Sequence, residues 1–171
     1  MLKLFKLKTE KYIKDIILGA NDGIITTFAV VAGVAGASLS INIILILGVA
    51  NLFADGISMG ASSYLGSKSE HIVKSKNNSH KSDTTPIKSG FINFTAFVIA
   101  GSIPLIPYLL GLNSFALSII FTVIAFALLG SARTFITDEK WYIGMLEIVL
   151  IGSVAAFVSY LIGFFLKFLL S

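Results

Sequence analysis

Five runs of about 20 predominantly apolar residues, near 16–38, 41–66, 89–111, 114–132 and 143–166, dominate the chain. Each matches the length at which an α-helix crosses the hydrocarbon core of a bilayer. In lipid the backbone must satisfy its own hydrogen bonds, so runs of this kind are helices. The expectation is an all-α integral membrane protein of five transmembrane helices, forming a single transmembrane domain over residues 1–171. Composition agrees: 56% of the residues are hydrophobic and 13% charged, against about 45–50% and about 25% in soluble domains. Too little chain remains between the runs to build a soluble domain. Any chemistry must lie within the membrane or in the polar loop 67–88.

The net charge of +4 is a matter of orientation rather than of nucleic-acid binding, because the lysines sit beside apolar spans. Lys3, Lys6, Lys8, Lys11 and Lys14 precede the first span. Lys68, Lys74, Lys76, Lys81 and Lys88 lie between the second and third, and Arg133 and Lys140 between the fourth and fifth. All three segments fall on one side. The opposite connections, around Ser38–Ser40 and Gly111–Asn113, carry no Lys or Arg, and Lys167 alone breaks the pattern. By the positive-inside rule the N-terminus is cytoplasmic. With no cysteine, disulfides, thiolate metal sites and cysteine nucleophiles are excluded.

Local features refine this layout. Met1–Lys14 alternates apolar residues with Lys, as a short amphipathic helix lying on an anionic leaflet would, and a frayed basic tail is the equal alternative. A cleaved leader is the competing reading of the start, but Asn21 and Asp22 interrupt the apolar run. Pro104 and Pro107 each remove a backbone donor, so the third span should kink or end early. Gly152, Ala156, Ser159 and Gly163 form a small-residue stripe suited to close helix packing, first of all within the protomer.

The polar groups inside the spans carry the functional signal. A carboxylate in the hydrocarbon region costs at least about 2.5–3.5 kcal/mol on insertion scales, so such groups usually face a cavity and serve a function. Asp22, Asp55 and Glu147 are the candidates. With 1.5 Å per residue, Asp22 lies about 9 Å in and Met59, on the descending second span, about 10 Å in. The two are expected at one level, with Asp55 a turn deeper. Asn51, Asp55, Ser58, Met59 and Ser62 share a helix face at spacings of three and four. Carboxylate and amide oxygens with a thioether suit a borderline transition ion, because the sulfur tilts the site away from magnesium and calcium. Methionine is also ordinary core filling, Asp22 could be a helix-terminal cap, Asp55 a buried hydrogen-bond partner, and Glu147 an interfacial salt-bridge partner of Arg133 or Lys140. His71 and His80, with Glu70 and Asp83, read as a solvated loop.

Several strings resemble the vacuolar iron transporter family. They are Asp22-Gly23-Ile24-Ile25-Thr26-Thr27-Phe28-Ala29, Ala50-Asn51-Leu52-Phe53-Ala54-Asp55-Gly56-Ile57-Ser58-Met59-Gly60, Ile103-Pro104-Leu105-Ile106-Pro107 and Gly144-Met145-Leu146-Glu147. The second-span string is the most specific. The resemblance implies a homodimer with the metal path between its subunits, in which proton antiport drives Fe(II) or Mn(II) out of the cytoplasm. It implies Asp22 and Met59 as membrane metal ligands, with Asp55 and Glu147 as candidates for metal relay or proton coupling. The chain departs from the pattern after the second span. Many family members carry a long glutamate-rich helical insert there, and here Ser67-Lys68-Ser69-Glu70 begins it and little follows.

The expected function is therefore a proton-coupled carrier exporting Fe(II) or Mn(II), with Asp22, Met59, Asp55, Glu147 and Asn51 as candidate metal residues. The metal is cargo, no resident cofactor is expected, and the compact size suggests a bacterial inner membrane. The alternative is a membrane scaffold or regulatory protein that keeps the fold without transporting. An intramembrane enzyme is disfavoured, because no clustered carboxylates or Ser–His pair support one.

Overall fold

The apolar runs become helices that overshoot them at both ends. A computed structural model describes residues 2–76, 84–137 and 140–170. Helix α1 covers Leu2–Gly36, α2 Ile41–Lys76, α3 Pro86–Gly101, α4 Ile106–Leu109, α5 Phe115–Thr137 and α6 Trp141–Leu170. Five helical stretches are long and apolar enough to cross a membrane: Tyr12–Gly36, Ile41–Lys76, Pro86–Leu109, Phe115–Arg133 and Tyr142–Leu170. The chain is a multi-pass membrane protein.

Two boundaries differ from expectation. The segment before the first span is not a separate surface helix, because α1 runs unbroken from Leu2. The loop expected over 67–88 is helical up to Lys76 and again from Pro86. Polar residues end an apolar run but not a helix, and Lys74 Nζ bonds Glu70 Oε1 one turn away, an (i, i+4) pair that supports the extension. His80, Lys81 and Asp83 lie outside the described residues.

The third span breaks where its prolines predict. α3 stops at Gly101, a 3-10 turn follows over Ile103–Leu105, and α4 completes the crossing. Ser118 Oγ on α5 donates to the Pro104 carbonyl at 2.7 Å, and Thr122 Oγ1 donates to the Ser118 carbonyl at 2.7 Å, in a fully buried pair of bonds.

Close backbone approach sets how the helices stack. α3 packs between α1 and α2, and its contact with α1 is the most extensive in the molecule. A Cβ on Gly23 would overlap the Phe97 carbonyl, and one on Gly90 would stand 2.6 Å from the Gly60 carbonyl. α2 buries Ile44, Gly48, Leu52, Gly56 and Gly60, every fourth residue, which is the stripe that faces α3 and α4. The small residues of the fifth span work within the chain, as expected: Gly152 meets Phe126, and Gly163 meets the Gly33 carbonyl. The result is an up-and-down bundle. Lys14, Lys68, Lys74, Lys76, Lys88 and Lys140 gather at one end, called here the basic end.

Candidate functional site

The positions of Gly19, Gly23, Gly56 and Gly60 determine what surrounds the polar residues. Gly19 lies against Asn93 and Gly23 against Phe97, so α1 and α3 run parallel. Gly60 lies against Gly90 and Gly56 against Phe94, so α2 runs antiparallel to both. This register brings Asp22 level with Asp55. A direct α1–α2 contact agrees: Ser63 Oγ donates to Asp15 Oδ1, and seven residues up α1 and eight along α2 lead from that bond to Asp22 and Asp55.

The expected depth match of Asp22 with Met59 is thus off by one turn. Met59 sits one turn nearer the basic end than Asp55. The apolar runs misplace the level because α1 and α2 continue as helices beyond them, so run ends are not helix ends.

Asn51 Nδ2 donates to Asp55 Oδ2 at 2.6 Å, one turn further along the same face of α2. That bond holds the Asp55 carboxylate on the α2 face that carries Asn51. The Asp22 carboxylate accepts no hydrogen bond among the described residues. Thr26 Oγ1 instead donates to the Asp22 main-chain carbonyl at 2.8 Å, a back-bond to the preceding turn in mid-helix rather than charge compensation. Asp22, Asn51, Asp55 and Met59 are all part-exposed, and the neighbouring α2 positions Ala54, Ser58, Ala61 and Ser62 are exposed. Two mid-span carboxylates therefore open onto a face of small side chains that no other part of the described chain covers.

Glu147 does not join them. Its Oε2 accepts from Arg133 Nη1 at 2.7 Å, and the side chain is about half exposed on α6. The salt-bridge reading of Glu147 is the one the geometry favours. Glu70 is likewise engaged with Lys74, and among the described residues no three His, Asp or Glu side chains converge.

On the basic side of Met59 a cavity of about 550 Å³ opens between α1, α2 and α3. Leu18, Met59, Ser62, Ser63 and Asn93 line its inner part, and Lys14 and Glu70 its mouth. Met59 is common to the cavity wall and to the turn next to Asp55. Asp15 and Asn93 were not singled out in the sequence. A lone polar residue near the end of an apolar run gives no periodic signal, and only the packing of α3 between α1 and α2 turns Asn93 inward.

Comparison with known proteins decides the ancestry. The model of the VIT family matches residues 13–83 and 70–164, nearly all of the bundle. The chain belongs to the VIT family. It is 28% identical to a vacuolar iron transporter of Plasmodium berghei over 227 aligned positions, covering 91% of this chain and 82% of that protein. It is 26% identical to vacuolar iron transporter 1 of Eucalyptus grandis, covering 84% and 82%. A vacuolar iron transporter of Toxoplasma gondii is 48% identical over 59 residues, 34% of this chain. The alignment with the Plasmodium protein is longer than this chain's 171 residues, so that relative carries residues this VIT-family chain lacks. The two family matches overlap at 70–83, from the last turns of α2 onward, where the sequence departs from the family pattern.

Proposed function

We propose that this VIT-family chain is a carrier that exports Fe(II) or Mn(II) from the cytoplasm in exchange for protons. The observation that carries the reading is the placement of Asp22 and Asp55 at one level in mid-span, with Asn51 bonded to Asp55 and Met59 one turn below. Two carboxylates of like charge in a low-dielectric setting repel each other strongly. A divalent ion between them cancels that repulsion, and so does protonation. Metal and protons are then alternative occupants of one site, which is the elementary requirement for antiport. The amide oxygen of Asn51 and the thioether of Met59 add donors that favour a later first-row ion over magnesium. Glu147, held by Arg133, takes the lesser role of an outer relay.

The site is open on one side, and a homodimer closes it. In our reading two copies meet across the Ala54–Ser58–Ser62 face, so that both Asp22–Asp55 pairs line one path. The basic end is cytoplasmic under the positive-inside rule, and the membrane is a bacterial inner membrane.

The missing insert between α2 and α3 favours a second reading, a membrane scaffold or regulatory protein that keeps the fold without flux. Uptake of Fe(II), Mn(II) and Mg(II) into proteoliposomes under an imposed pH gradient separates the two. The carrier reading expects gradient-dependent flux of the two transition ions, little of magnesium, and none in Asp22→Asn. No flux with any ion overturns it.

A further inference from the structure

We infer that a groove at the end of the bundle opposite the basic end holds one anionic phospholipid, its acyl chain lying along α1 and α6 and its headgroup at Lys167. The groove has a volume of about 700 Å³. Ala29, Gly33 and Ala37 of α1 form its floor, with α6 on one side and Leu47 of α2 on the other. The floor is deep because these α1 side chains are small, and α6 stays close because Gly163 sits against the Gly33 carbonyl. Along α6 the lining runs from Ser159 to Leu170, about 17 Å at 1.5 Å per residue. One leaflet supplies half of a hydrocarbon core about 30 Å thick, so the groove and an acyl chain of that leaflet match in length.

Charge selects the headgroup. Lys167, in the last turn of α6, lines the outer part of the groove. Its Nζ donates to Ser38 Oγ at 2.9 Å, which holds the ammonium across the groove mouth beside the exposed turn between α1 and α2. In the segments at this end, 36–41, 101–115 and 163–171, Lys167 is the single Lys or Arg, and no Asp or Glu occurs. A second copy of the chain stands the same way up in the membrane. Seated on this groove it would bring a second lysine and no acidic side chain. A phospholipid in the same place brings a phosphate, at the depth that a lysine reaches from the last turn of a span on its long stem. A lysine beside the membrane surface favours an anionic headgroup. The one lysine that breaks the charge asymmetry of the chain thus has a ligand to hold rather than an orientation to set.

Native mass spectrometry of the purified full-length protein in mild detergent, titrated with phosphatidylglycerol or phosphatidylcholine, tests the site without requiring transport. The wild type is expected to retain one phosphatidylglycerol per chain and to bind it more tightly than phosphatidylcholine. Lys167→Gln keeps the stem and removes the charge, and is expected to weaken phosphatidylglycerol about fivefold while leaving phosphatidylcholine unchanged. Ala29→Phe fills the groove and is expected to release both lipids. Wild-type binding of phosphatidylglycerol by either variant overturns the inference, as does equal binding of the two lipids by the wild type. A lipid-free dimer that Ala29→Phe dissociates would show that a second copy covers the groove, and overturns it too. Ala29→Phe is checked for a wild-type size-exclusion profile, and Lys167→Gln, altered at an exposed position, decides if that profile is lost. The result stands whatever the flux measurements give, because neither variant touches Asp22 or Asp55.

Discussion

A mid-span carboxylate persists only where something answers its charge, and Asp22, Asp55 and Glu147 differ in what answers them. Glu147 has Arg133 at 2.7 Å, Asp55 has the Asn51 amide at 2.6 Å, and Asp22 has no hydrogen-bond donor among the described residues. Asp22→Asn should therefore leave thermal stability in detergent unchanged or raise it, because an uncompensated charge costs the fold about 2.5–3.5 kcal/mol and an amide costs less. A clear drop in melting temperature would mean that Asp22 is a structural cap. Asn51→Ala frees the Asp55 carboxylate and removes an amide donor, and is expected to weaken Mn(II) binding to the purified protein, read by the electron paramagnetic resonance of free Mn(II), by at least the roughly 10- to 100-fold that loss of an outer-shell partner costs. Glu147→Gln removes a half-exposed ion pair of about 0–1 kcal/mol and should change the flux little. A loss comparable to that of Asp22→Asn would return Glu147 to the main site.

At the scale of elements, the number and order of the helices were legible because 20-residue apolar runs have few alternatives in lipid. Their ends and register were not. The α2 extension to Lys76 rests on helix-supporting polar pairs such as Glu70–Lys74, which an apolar-run count ignores. The level of Asp22 is set by where Gly23 and Gly56 meet α3, a tertiary fact, so the sequence placed it opposite Met59 instead of Asp55. The break in the third span was legible, since Pro104 and Pro107 admit no unbroken helix. Its repair by Ser118 was not, because a single serine in an apolar run carries no pattern. Gly23→Ala forces a methyl group into the Phe97 carbonyl and should cost about 1–3 kcal/mol as overpacking. Thermal unfolding in detergent measures it, and a neutral result would mean that α1 and α3 can separate without loss.

For the whole molecule, the candidate residues came from chemistry on three helices, but the meaning of those on α1 and α2 depends on a face that one copy leaves open. Because the chain has no native cysteine, single substitutions report cleanly. Ser58→Cys in membranes should cross-link into dimers on mild oxidation, whereas Phe165→Cys, exposed on the far helix α6, should not. Cross-linking at Phe165 alone would put the interface elsewhere and leave the Asp22–Asp55 pair facing lipid. The central claim is that metal and protons compete for that pair. The most direct measurement is the lumenal pH of proteoliposomes, reported by a trapped dye, when Mn(II) is added outside with no imposed pH gradient. The account predicts that Mn(II) entry drives protons out and the lumen turns alkaline in the wild type, with no change in Asp22→Asn or Asp55→Asn. Mn(II) entry with no pH change in the wild type, or the same change in both variants, would contradict it.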